Sequence, residues 1–245
     1  MAGDSLASAV GRLPASWHGH YFAVVDSTQD EARAAARAGA ADQTLFVADH
    51  QRAGRGRRGR VWLAEPGSAL LVSMVFRERG QLASVPWRFT SLVSLAMVRA
   101  IDRSLSEDSV AIKWPNDVML GDSKVAGVLA ETSYDGRELI AIVGIGVNVS
   151  DAPPVQGATS LGGTVERGNL LLAFINEIDE LRPRPHAELH QLWVSRLWRH
   201  RQRVRLMDVD REEEVVIVGV DPEGSLRVET GDGRQRTTTA GELLP

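Results

Sequence analysis

Five arginines fall between Arg52 and Arg60 in the run Gln51-Arg-Ala-Gly54-Arg55-Gly56-Arg57-Arg58-Gly59-Arg60-Val-Trp62, with three glycines interleaved and no acid among them. Arginine offers forked donors that match phosphate and carboxylate. Glycine lets the backbone turn its N–H groups inward. The chemistry of such a stretch is anion capture. In Lys113-Trp-Pro-Asn-Asp117 the lysine ends an apolar run, Val110-Ala-Ile112, where an ammonium without an anionic partner is costly. Asp117 is the kind of carboxylate that meets hydrated Mg2+ beside nucleotide phosphates. Lys124-x-x-Gly127 and Gly144-Ile-Gly146-Val-Asn148 add another cation and glycines that admit a ligand close to backbone. The last is not a dinucleotide fingerprint, because no helix with a third glycine follows it.

Each segment has a plainer alternative. The arginine loop reads equally as a nucleic-acid patch or a solvated loop, although no aromatic is interleaved for base stacking and Trp62 sits just past it. Pro-Asn-Asp is a tight turn. Lys124 and Gly127 read as an edge-strand lysine and a bulge glycine; strand alternation puts 124 and 126 on one face and Gly127 on the other. Ser27 and Thr28 serve as helix caps as readily as ligand donors. The six histidines, His18, His20, His50, His186, His190 and His200, show no metal-ligand spacing. No Ser/His/Asp or paired-carboxylate arrangement stands out.

Around these segments the 245-residue chain carries 28 Lys+Arg against 32 Asp+Glu, a net charge of −4. The loop is therefore a local concentration of positive charge, and broad nucleic-acid coating is disfavoured. A hydrophobic content of 43% allows a sizeable core. Without cysteine there are no disulfides or thiolate metal sites. The N-terminus lacks the pattern of a signal peptide and no run approaches the ~20 apolar residues of a membrane span, so a cytoplasmic protein is expected.

The elements that must position these residues follow from periodicity. Residues 1–18 read as small, polar and frayed. A first strand is expected over 20–25. Thr28-x-x-Glu31 reads as a capping box opening an Ala/Arg-rich helix that ends at Gly39. Strands are expected over 44–48 and 68–76, and an amphipathic helix over 85–103. Shorter strands follow near 110–114, 117–120, 124–133 and 138–147, then helices around Leu171–Ile178 and Leu189–Leu197. After about residue 201 the pattern changes to short strands, 204–206, 214–220, 226–230 and 236–239, with Gly/Asp turns between them. This divides the chain into a main α/β domain over 1–200 and a small β-barrel over 201–245.

Taken in order, Asp26-Ser-Thr28, Gln51-x-x-Gly-Arg-Gly-Arg-Arg-Gly59, Lys113-Trp-Pro-Asn-Asp117, Lys124-x-x-Gly127 and Gly144-Ile-Gly-Val-Asn148 resemble the pattern of the biotin–protein ligase family, from about residue 20 to 200 and more weakly beyond. The resemblance implies an α/β (α+β) fold: a mixed sheet with flanking helices like the catalytic domain of class II aminoacyl-tRNA synthetases, followed by an SH3-like barrel. It implies two steps. Biotin's carboxylate attacks the α-phosphate of ATP to give biotinyl-5′-AMP and pyrophosphate, and a lysine of a biotin carboxyl carrier domain then attacks the mixed anhydride. Biotin would be held by Ser27, Thr28, Gln29, Gln51, Gly54, Arg55, Gly56, Arg57, Lys124 and Gly127. ATP would be met by Arg55, Arg57, Trp62, Lys113, Asn116, Asp117 and Asn148, with Mg2+ at Asp117. Arg55, Lys113 and Lys124 are the catalytic candidates.

Attack of a carboxylate on a polyphosphate brings like charges together, and fixed cations offset that repulsion in the transition state. An Arg/Gly loop that orders over the labile acyl-adenylate would exclude water. Two departures stand out. Gln29 replaces an asparagine common in the family. Only 25 residues precede Asp26, too few for the winged-helix domain some members carry, so a ligase without DNA binding is expected, as monomer or weak homodimer. The alternatives are a lipoate–protein ligase, whose relatives lack the Gly-Arg-Gly-Arg-Arg-Gly loop, and an RNA-binding protein.

Overall fold

Apolar runs long enough to span a buried sheet become the central strands of a computed structural model that describes residues 5–105, 110–208 and 211–244. In chain order the elements are α1 (Leu6–Val10), β1 (His18–Phe22), α2 (Thr28–Arg37), β2 (Thr44–Ala48), β3 (Ala69–Glu78), α3 (Trp87–Leu105), β4 (Val110–Lys113), β5 (Asp117–Leu120), β6 (Ser123–Asp135), β7 (Glu138–Asn148), α4 (Arg167–Leu181) and α5 (His186–Ser195). Five strands follow: β8 (Arg203–Asp208), β9 (Arg211–Val220), β10 (Leu226–Thr230), β11 (Gln235–Thr238) and β12 (Glu242–Leu244). The first seven strands form a mixed sheet in the order β1-β2-β3-β7-β6-β5-β4, and the last five an antiparallel sheet in the order β11-β10-β9-β8-β12. Among the strands of the described residues, β1 and β2 are the one pair that runs parallel.

The two faces of the large sheet have different jobs. One is covered by the amphipathic helices: Leu70, Val72, Met74 and Phe76 of β3 and Leu139, Ala141, Val143, Ile145 and Val147 of β7 bury into one core with α3, α4 and α5. On the other face α2 lays Ala32 and Ala36 over Phe46, Val75, Ile140 and Ile142. That face continues along β7 as Gly144, Gly146 and Asn148 by the period of two. Bulky residues lie beneath Ala32 and Ala36 of α2; glycines follow where the side chains of Gln29, at the start of the helix, and Trp62 lie close to the strand.

Several expectations are corrected. The N-terminal segment is not frayed over its described part: α1 buries Leu6 and Ala9, Trp17 is buried too, and its Nε1 donates to Asp179 Oδ1 at 2.9 Å. Residues 1–4 lie outside the described residues. The first strand is His18–Phe22 rather than 20–25. Thr28 does not cap α2; Ser27 is the N-cap, without a side-chain capping bond, and Thr28 is the first helical residue. A last strand, Glu242–Leu244, was not expected from three residues beside a glycine, and it forms by pairing with β8. The segment after α5 covers the open edge of β4, with Ile112 N donating to Arg196 O and Trp198 N to Ile112 O.

Candidate active site

Strand register assembles the floor. Antiparallel pairing sets Lys113 opposite Asp117, Asp117 opposite Gly127, and Gly127 opposite Gly146. Directly opposed residues share a face, so a lysine, a carboxylate and two glycines form one row across four strands. Lys124 joins that face through a β-bulge: Met119 pairs with Lys124 but Val118 with Ala126. The extra residue lets Val125 and Ala126 both enter the core and turns Lys124 back over Gly127, where a β-carbon would lie 3.0 Å from Lys124 Nζ. Strict alternation, which separates Lys124 from Gly127, is overturned by this bulge.

Above the floor lie two cavities. The inner one, of about 30 Å³, is walled by Thr28, Gln29, Gln51, Ser73, Leu129 and the β7 glycines. Apart from Arg55, its polar groups are neutral and mutually bonded: Gln51 Oε1 accepts from Thr28 N at 2.7 Å, Thr28 Oγ1 lies 2.9 Å from Ser73 Oγ, and Ser73 Oγ donates to Gln29 Oε1 at 3.1 Å. The outer cleft, of about 680 Å³, is lined by the arginine loop, the Lys113–Asp117 turn, Lys124, Asn148, the 153–158 loop and part of the C-terminal sheet. Arg55, Trp62, Gly127 and Leu129 border both.

The loop is anchored at several points. Trp62 N donates to Gly54 O at 3.0 Å and Gly56 N to Arg60 O at 2.8 Å, which closes a hairpin-like turn. Arg58, at φ 57°, and Gly59, at φ 74°, make its reversal in the left-handed region. Gly54 is required by crowding: a β-carbon there would meet Trp62 O at 2.6 Å. The arginines divide their partners. Arg52 meets Asp26 at 3.4 Å, Arg55 meets Asp30 at 2.8 Å, and Arg60 reaches Glu242 of β12 at 2.5 Å. Arg57 donates to Asn116 Oδ1 at 2.7 Å.

The cleft concentrates positive charge in partly dry surroundings. Burial pushes the Lys113 ammonium below its ordinary pKa, opposed by Asp117 and Glu242 and reinforced by Lys124 and Arg199. Its Nζ lies 5.2 Å from the centre of the Trp198 ring. Burial and the neighbouring Arg58 lower Arg57 too. Lys124 pairs with Asp117 at 2.7 Å. Asn148 Oδ1 and Trp62 Nε1 are buried without a hydrogen-bond partner among the described residues, which suits a polar ligand.

The residues expected from sequence distribute as follows. Thr28, Gln29, Gln51, Arg55 and Gly127 line the inner cavity; Gly56, Arg57 and Lys124 line only the outer cleft; Ser27 and Gly54 line neither. Ser27 is buried, and its Oγ has no partner among the described residues. Arg55, Arg57, Trp62, Lys113, Asn116, Asp117 and Asn148 all border the outer cleft. Trp62, expected beside the nucleotide, also packs on Gly127 and Gly146 as a wall of the inner cavity. Sequence reasoning missed Ser73 and Leu129, which only the sheet register brings in, and Glu242 from the C-terminal sheet. Ser73 left a signal: it is the polar residue in an otherwise apolar strand core.

Comparison with known proteins agrees with this arrangement. Residues 21–148 match the model of the biotin/lipoate A/B protein ligase family, and residues 202–243 that of the biotin protein ligase C-terminal domain. The chain is 31% identical over 235 residues to the bifunctional ligase/repressor BirA of Bacillus subtilis, covering 90% of this chain and 72% of that protein. It is 32% identical over 231 residues to the biotin--[acetyl-CoA-carboxylase] ligase of Paracoccus denitrificans, covering 87% and 95%. A biotin protein ligase from Aquifex aeolicus, solved in complex with biotin and ATP, superposes with a TM-score of 0.75 at 26% identity, covering 92% of this chain and 97% of that one. Family models on both sheets and relatives matched over most of their length place the chain in the biotin/lipoate A/B protein ligase family.

Proposed function

We propose that the chain is a biotin–protein ligase, which activates biotin with ATP to biotinyl-5′-AMP and transfers the biotinyl group to a lysine of a biotin carboxyl carrier domain. The observation that carries this reading is the pairing of a small cavity, lined by neutral polar groups except at Arg55, with a large cationic cleft that shares Arg55, Trp62 and Gly127 with it. Biotin's uncharged ureido ring suits Thr28, Gln29, Gln51 and Ser73, while its carboxylate tail points to the shared boundary. A cleft of about 680 Å³ is of nucleotide size.

The residues take distinct roles. Arg55 and Lys124 meet the carboxylate at the boundary, and Arg57 and Lys113 offset charge on the phosphoryl oxygens. The carboxylate oxygen forms a bond to the α-phosphorus as pyrophosphate leaves; the acceptor amine then forms the amide as AMP leaves and gives up its proton. Asn116 and Asn148 orient the nucleotide. Among the described residues no three His, Cys, Asp or Glu form a metal cluster. That fits Mg2+ arriving with ATP, because Mg2+ keeps several waters and needs one or two carboxylates; Asp117 supplies one, and the ion adds charge neutralisation at the phosphates. Gly54 and Ser27 act through backbone and helix geometry. The main domain over 1–200 carries this chemistry and 201–245 closes one side of the cleft, in a monomer or weak homodimer. None of the described helices is long and apolar enough to cross a membrane.

A thermal-shift series tests the reading. Biotin with Mg-ATP should stabilise the protein by several degrees, because a tight ligand stabilises by mass action. Lipoate and RNA should not. Stabilisation by lipoate and not by biotin would move the assignment to the other branch of the family.

A further inference from the structure

Among the five loop arginines only Arg55 borders both cavities, so the orientation of its guanidinium decides what the boundary presents to a ligand. One edge of that group is already held: Nε donates to Asp30 Oδ2 at 2.8 Å. Asp30 lies in the first turn of α2, where a carboxylate is favoured by the helix dipole. Its other oxygen accepts from Arg33 Nη1. Arg33 Nη2 in turn donates to both oxygens of Glu131, at 2.8 and 2.7 Å, and Glu131 Oε2 accepts from Gln29 Nε2 at 2.9 Å. A continuous chain of polar side chains therefore runs from the wall of the inner cavity, through the first turn of α2, to the loop.

We propose that Asp30 is the positioning residue for Arg55, holding the Nε edge of the guanidinium so that the two terminal nitrogens are left for the ligand at the junction of the cavities, with Arg33 and Glu131 bracing Asp30 from behind. The geometry of arginine makes this effective. Its donors form one rigid plane, so fixing Nε fixes the fork. Arg55 is half exposed on a turn; without the carboxylate its long side chain would spread over many rotamers, and ordering it on each ligand would cost conformational freedom. The partner is also chemically suited. A carboxylate gripping the terminal nitrogens would compete with an anionic ligand, whereas one confined to Nε does not.

This inference rests on the ligase reading, with Arg55 retaining the acyl-adenylate. Its test is the rate at which biotinyl-adenylate, formed by the full chain from biotin and Mg-ATP, escapes into the filtrate. Asp30→Ala should speed escape on the order of threefold to fivefold, the scale a half-exposed ion pair can supply. Asp30→Asn, which keeps an acceptor oxygen for Nε–H, should recover most of the retention. In an Arg55→Ala background Asp30→Ala should add nothing, since a pairwise effect vanishes when the partner is gone. Escape at the wild-type rate, or an equal acceleration in the Arg55→Ala background, would overturn the inference and leave the ligase assignment standing. Failure of the wild type to make any adenylate would overturn both.

Discussion

The indole of Trp62 lies on the bare backbone of Gly146, where a β-carbon would fall 2.4 Å from Cε2 of the ring; at Gly127 on the next strand a β-carbon would lie 3.2 Å from Cζ3. Two adjacent strands use glycine to make a slot for one aromatic ring, and that ring separates the inner cavity from the cationic cleft. Gly146→Ala must therefore displace Trp62. Biotin KM is expected to rise roughly tenfold, ~1.4 kcal/mol, in the range of overpacking costs, with KM for ATP less affected. An unchanged biotin KM would show that the ring does not form the wall of the biotin site.

Lys124 reaches the boundary only because of the bulge, and it is held there by Asp117 at 2.7 Å. Lys124→Ala removes a cation from the carboxylate–phosphate encounter and leaves Asp117 unpaired. Adenylate formation, followed in a single turnover by pyrophosphate release, should slow by about 100-fold or more, the scale of losing one preorganised charge-stabilising group. A loss below about fivefold would remove Lys124 from the chemical step.

Arg55 and Arg57 should retain the intermediate. Arg55 sits at the shared boundary, and Arg57 lines the outer cleft against Asn116. Arg55→Ala or Arg57→Ala is expected to release biotinyl-adenylate and so label lysines of a bystander protein several-fold above wild type. Wild-type levels of bystander labelling in both variants would contradict a lid role for the loop. For the same reason the 51–60 loop should become less sensitive to protease when biotin and Mg-ATP are added.

Lys113 gives a pH signature. Burial lowers its pKa, and a bound triphosphate favours the charged form and raises it. ATP affinity is then full below the free-protein pKa and falls as pH rises through it, a window that opens below the ordinary lysine value of about 10.4. KM for ATP should climb with rising pH in the wild type, beginning below the ordinary lysine range, and stay flat in Lys113→Arg. Parallel profiles would place the titrating group elsewhere.

Much of this was legible in the chain. The alternation Ile140, Ile142, Gly144, Gly146 marks where bulky packing gives way to close approach of other side chains to the strand, and the apolar stripe of α3 was readable from spacing alone. The loop and the two lysine segments announced anion chemistry. What stayed hidden depends on register or on contacts far apart in sequence. The bulge that brings Lys124 over Gly127 is invisible to a period of two. The Gln29–Glu131 bond joins residues 102 apart. Thr28 looked like a cap because Thr-x-x-Glu is a local signal, yet a nonlocal partner, Gln51, took its hydroxyl and its N–H. Trp17 and α1 seemed too short and polar to order, and they do so by packing on α4.

The central claim is that this site joins biotin to AMP and hands it to a lysine. The most direct measurement adds radiolabelled biotin, Mg-ATP and a purified biotin carboxyl carrier domain to the full chain, isolates the protein-bound adenylate, and then follows its transfer. The account predicts an adenylate whose formation needs both biotin and ATP, and stoichiometric labelling of the carrier lysine with release of AMP. No adenylate, or an adenylate formed from lipoate in preference to biotin, would contradict it.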